Sequence, residues 1–95
     1  MMSEKSNCPL CDSVATFALL DVGNIHFYHC DTCTDYFISR SAITWINQHE
    51  RHRKEHFSQV AASYKGKDNI LAITNVLGEG VHLEEVTRMY YKNAN

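Results

Sequence analysis

The sequence predicts a small α+β domain: a cysteine-bearing β-hairpin with a short third strand over 8–38, one long helix over 39–66, and a C-terminal β-hairpin over 67–95 whose last element also fits a helix. Three observations predict it. Two C-x-x-C pairs stand eighteen residues apart, apolar spacing changes from strand-like to helical near residue 39, and Gly78 and Gly80 follow a second short apolar run. A chain of 95 residues is expected to form one domain, 1–95. Domains of that size bury a low fraction of their surface and commonly need a metal or disulfide staple.

The first element is built on Cys8-Pro9-Leu10-Cys11 and Cys30-Asp31-Thr32-Cys33. Their spacing matches C-x2-C-x(15–20)-C-x2-C, the pattern of a tetrahedral four-thiolate zinc site. Each C-x-x-C is a tight knuckle whose two sulfurs converge on one ion, and a hairpin brings the knuckles together. Residues 14–21 and 25–30 are rich in β-branched and aromatic side chains, with Gly23 and Asn24 at the turn between them. One structural zinc ion on Cys8, Cys11, Cys30 and Cys33 is therefore expected; an iron centre uses the same geometry. Thioredoxin-type redox pairs occur in a βαβ pattern that this sequence lacks. Asp12 and Thr34 stand where knuckles usually carry a glycine of left-handed backbone. Asp tolerates that region and β-branched Thr does not, so the second knuckle is expected to turn differently. His26 and His29 are expected to be strand residues or hydrogen-bond donors beside the site rather than ligands.

Cys8-Pro9-Leu10-Cys11, His29-Cys30-Asp31-Thr32-Cys33 and the following Tyr36-Phe37-Ile38-Ser39 run, leading into a helix, resemble small bacterial zinc-ribbon proteins of undefined function. The resemblance covers residues 8–46. It implies a structural zinc and a role in transcription, in nucleic-acid handling or as a docking module, without choosing among them.

A short strand at 36–38 is followed by Ser39 or Ser41 as helix cap, with the helix running to about Lys65 and stopped by Gly66. Ala42, Ile46, Phe57, Val60 and Tyr64 fall on one helical face, interrupted midway by His49 and Arg53. On the opposite face Arg40, Arg51, Lys54 and Lys65 form a basic stripe able to contact nucleic acid. His49, His52 and His56 share an arc on which a second metal can be imagined, although solvated histidines are the simpler expectation. His49-Glu50-Arg51-His52 is one residue short of the zinc-protease pattern H-E-x-x-H. The last third contains an apolar run at 69–76 and a final element at 81–91. In that final element Leu83, Val86 and Tyr90 also fit a helix. Met89, Tyr90 and Tyr91 cluster near the terminus as either core or contact surface.

Charge divides along the same lines. Residues 1–37 carry five acids against Lys5, whereas 38–67 carry six bases against Glu50 and Glu55, within a net charge of −2. Apolar residues at 44% and charged residues at 21% are ordinary for a folded domain. No apolar run reaches the ~18 residues of a membrane helix, and no signal peptide opens the sequence. A cytoplasmic protein without membrane partners is expected, in a compartment where paired cysteines more often bind metal than each other. With no nucleophile elbow, phosphate loop or dinucleotide fingerprint, the expectation is a non-enzymatic module that binds another protein, with nucleic-acid binding as the alternative.

Overall fold

The computed structural model describes residues 4–76 and 78–90; Tyr91 lies outside the described residues. Six strands form one sheet in sequence order: β1 (Glu4–Asn7), β2 (Val14–Leu20), β3 (Ile25–Cys30), β4 (Thr34–Ser39), β5 (Asn69–Val76) and β6 (Gly80–Thr87). Neighbours are antiparallel except β4 and β5, which run parallel with Tyr36 opposite Leu71, Phe37 opposite Ala72 and Ile38 opposite Ile73. Parallel neighbours need a crossover connection, because a tight turn cannot join them. Here the crossover carries α1 (Arg40–His49) and α2 (Lys54–Ala62).

This architecture corrects the predicted fold class. The expected hairpin with a third strand and the C-terminal hairpin are not separate units flanking one long helix; they are fused through the β4–β5 pairing into a single mixed sheet, with two short helices between them. The fusion explains the Tyr36-Phe37-Ile38 run. In a strand with pairing on both sides and both faces covered, consecutive side chains are all apolar, and these three are 0%, 1% and 0% exposed. Tyr36 and Ile38 join Leu71, Ile73, Ala42, Ile46, Phe57 and Ala61 in the core beneath the helices. Phe37 turns the other way, into a second cluster with Leu20, Ile25, Ile70, Ala72 and Val86.

The single helix expected over 39–66 is the second correction. α1 starts as foreseen, with the Ser39 hydroxyl accepting from the Ala42 amide at 3.0 Å. It ends at His49, because Glu50 leaves helical geometry (φ −136°, ψ 33°) and one 3-10 turn at Arg51–Arg53 precedes α2. The Glu50 carboxylate fastens this break, accepting from the Trp45 indole at 2.9 Å and the Arg53 guanidinium at 2.6 Å. Arg53 also lies over the Phe57 ring, 4.8 Å from its centroid. A straight helix would carry the polar residues 49–53 across the sheet between the apolar patches at Ala42/Ile46 and Phe57/Ala61. The break lets both patches reach the core while His49, Arg51 and His52 stay exposed. At the end of the chain the expected strand is present and its helical alternative is excluded, since β6 pairs with β5 from Gly80 opposite Val76 to Thr87 opposite Asn69.

Candidate metal centre

The four cysteines lie in two turns at one end of the sheet. The first turn joins β1 to β2. Its Cys8 amide donates to the Ser13 carbonyl at 2.7 Å, and the Asp12 amide donates back to the Cys8 carbonyl at 2.9 Å. The second joins β3 to β4, where the Cys33 amide donates to the Cys30 sulfur at 3.4 Å. Asp12 and Thr34 follow the two knuckles with φ of 63° and 62°. The expectation of a different second turn is thus corrected: Thr34 takes the left-handed conformation despite its β-branch. The Ala15–Cys30 register of β2 and β3, with β1 paired outside β2, sets one turn beside the other. β1 itself has no apolar pattern and was not foreseen from the sequence. Its four residues are all exposed, and only the ladder to β2 marks it as a strand.

All four Sγ atoms lie within 4.8 Å of one another, and among the described residues no other group of three or more His, Cys, Asp or Glu gathers this closely. Cys8 and Cys33 are 3.7 Å apart and Cys11 and Cys30 3.5 Å, far beyond a disulfide bond. With metal–sulfur bonds of about 2.3 Å, the edges of a tetrahedral thiolate site are about 3.8 Å. The cluster can hold a metal ion, and its donor set suits zinc. Cys8, Cys30 and Cys33 are buried, and Cys11 is the partly exposed member.

Two buried hydroxyls approach the sulfurs. The Tyr36 hydroxyl is 3.0 Å from Cys8 Sγ, and the Ser58 hydroxyl on α2 is 2.9 Å from Cys33 Sγ. Burial, followed by the negative charge of Cys8, pushes the Tyr36 phenol up, so it remains protonated and donates. The hydrogen bond with Cys33, helped by Tyr36, holds the Cys8 thiol down at about 5. The same contact, together with burial, holds the Cys33 thiol up. A divalent cation held here would draw all four sulfurs into the thiolate form. Tyr36 and Ser58 were missed as site residues. Neither carried a signal in the sequence: at helical spacing Ser58 neighbours Lys54 and Glu55 as well as Ala61 and Ala62, and Tyr36 reads as ordinary core.

The histidines do not join the site. His29 is exposed and pairs with Asp35, which also receives Arg88. His26 stacks against Phe17 and Tyr28, which also stack on each other, and its burial lowers its basicity. His49 packs on Trp45, with ring centroids 4.3 Å apart, while His52 and His56 are exposed and form no cluster with it. The broken helix also scatters the basic stripe. Arg51 and Lys54 line a cleft of about 620 Å³ together with Cys11, Asp12, His52 and Glu55. Arg40 lines a different, smaller recess with Asn24 and Thr44, and Lys65 lies in the turn after α2. Among the described residues no helix is long and apolar enough to cross a membrane. Comparison of the chain with protein-family models, with curated proteins and with solved structures finds no match.

Proposed function

We propose that Cys8, Cys11, Cys30 and Cys33 hold one structural zinc ion in a pair of zinc-ribbon knuckles, and that the chain acts as a non-enzymatic, protein-binding accessory module in the cytoplasm. The observation that carries the metal reading is the convergence of four sulfurs within 4.8 Å, three of them buried. The Tyr36 and Ser58 hydroxyls support it, since metal-bound thiolates keep acceptor capacity that neighbouring donors satisfy. The cluster merges with the apolar core beneath the helices, which suits a metal that staples the fold. The protein-binding reading draws on Met89 and Tyr90, 50% and 53% exposed after β6, residue types enriched at interfaces.

A variant with Met89→Ala and Tyr90→Ala tests it. The expected result is unchanged metal content, a stability loss under about 1 kcal/mol as befits exposed positions, and loss of the protein that co-purifies with the wild type from native cells. Unfolding on the scale of Phe57→Ala, about 3–5 kcal/mol for a buried aromatic, would assign these residues to the core and remove them as a contact surface. Arg51, Lys54 and His52 in the cleft beside Cys11 favour nucleic acid as a second reading. Asp12 and Glu55 in the same cleft weigh against it. A gel shift abolished by Arg51→Glu with Lys54→Glu would promote that reading, and no shift at low salt would end it.

A further inference from the structure

The sheet has two edges of different length, both of which carry charge. β1 is short, wholly exposed and carries Glu4 and Lys5, the usual way of protecting an edge from pairing. β6 extends over eight residues, Gly80–Thr87, with no Pro, Lys or Arg, and among the described residues nothing pairs with its outer side. Such an edge is a template for another strand.

We infer that β6 pairs antiparallel with β6 of a second copy about a two-fold axis at Leu83, joining the two sheets into one. Symmetry leaves few registers. A two-fold axis perpendicular to the sheet keeps each face on its own side, so paired positions must belong to the same face and one residue must face its own copy across the axis. The longest overlaps are then centred on Leu83, pairing 80–86, or on Glu84, pairing 81–87. Centring on Glu84 sets that carboxylate opposite its own copy, which is unfavourable. Centring on Leu83 sets His82 opposite Glu84 of the second copy, and Glu84 opposite the other His82. It also brings the two half-buried Leu83 side chains together. His82 and Glu84 are both exposed and lie on the face opposite the helices, across from Thr74 and Ala72 on β5. Glu85 is held by its own chain, accepting from Asn69 at 2.8 Å, and lies opposite Val81 in this register. The inference goes beyond the metal-held reading and does not depend on it.

Sedimentation equilibrium of the full chain from micromolar to millimolar concentration tests it, with three variants run beside the wild type. The expected result is a monomer–dimer equilibrium that His82→Glu weakens about tenfold, by turning two complementary pairs into two repulsive ones. Glu84→His is expected to lower affinity less. The exchanged variant, His82→Glu with Glu84→His, is expected to restore dimerisation. Both positions are exposed, so circular dichroism of all four proteins should coincide. A monomer throughout, or a dimer indifferent to His82→Glu, overturns the proposal. So does failure of the exchanged variant to recover, since that would place the contact on another surface or in another register.

Discussion

Thr34 holds φ of 62° where its β-branch clashes with the backbone, yet it closes the second cysteine knuckle as Asp12 closes the first. Left-handed geometry in a non-glycine residue costs on the order of 1–3 kcal/mol, and the surrounding turn must over-determine it. Thr34→Asn keeps a polar side chain and tolerates this region better. We expect it to raise stability by about 1 kcal/mol in urea melts; a neutral or destabilising result would mean that the Thr34 side chain makes a contact worth the strain. Tyr36 carries the second prediction at this scale. Tyr36→Phe keeps the buried ring and removes only the donor to Cys8. Loss of a supporting hydrogen bond at a metal site typically lowers affinity 10–100-fold. Competition with a chromophoric chelator should show that drop with the fold retained, and equal affinity would show that the hydroxyl does not support the cluster. Of these residues the cysteines and the place of Thr34 after the second knuckle were legible in the sequence, although the left-handed backbone of Thr34 was not. The cysteine spacing is a local pattern, whereas the roles of Tyr36 and Ser58 arise from contacts across β4 and α2.

At the scale of elements, strands with a strong β-branched and aromatic bias were readable: the structure has strands at Val14–Leu20, Ile25–Cys30 and Asn69–Val76, where the sequence places them. The helix break was not readable, because no Pro or Gly marks it. The Glu50 carboxylate bridges it, with its partners Trp45 and Arg53 on either side of the break. Hydrogen bonding from Arg53, with a further contribution from Trp45, holds the Glu50 carboxyl below its usual range. A depressed carboxylate contributes stability that is complete above the unfolded value and is lost as pH falls through the folded one. Arg53 is partly exposed and solvent screens the pair, so the contribution is about 1 kcal/mol. Glu50→Gln should therefore be less stable than wild type by about that amount at neutral pH, and the gap should close under acid conditions. Trp45, the one tryptophan, reports the event directly by fluorescence. A gap that persists unchanged into acid would show that Glu50 acts by packing rather than charge.

For the whole molecule, the decisive contact is the parallel pairing of β4 with β5, which unites two hairpins far apart in sequence. No local signal announces it, since a register between distant strands is set by tertiary packing; the consecutive apolar residues Tyr36, Phe37 and Ile38 hint only that β4 is buried on both faces. The cysteine cluster sits at one end of that sheet and is continuous with its core. Structural zinc contributes about 10–16 kcal/mol in small metal-folded peptides at neutral pH, against a total stability of about 5–15 kcal/mol for a typical domain. If the four sulfurs hold such an ion, the metal and the fold stand or fall together. Elemental analysis of the purified chain, paired with thermal unfolding before and after chelation, tests this most directly. One zinc per chain is expected, with cooperative unfolding lost on chelation and in Cys30→Ser. Well under one metal per chain with the fold intact would contradict it.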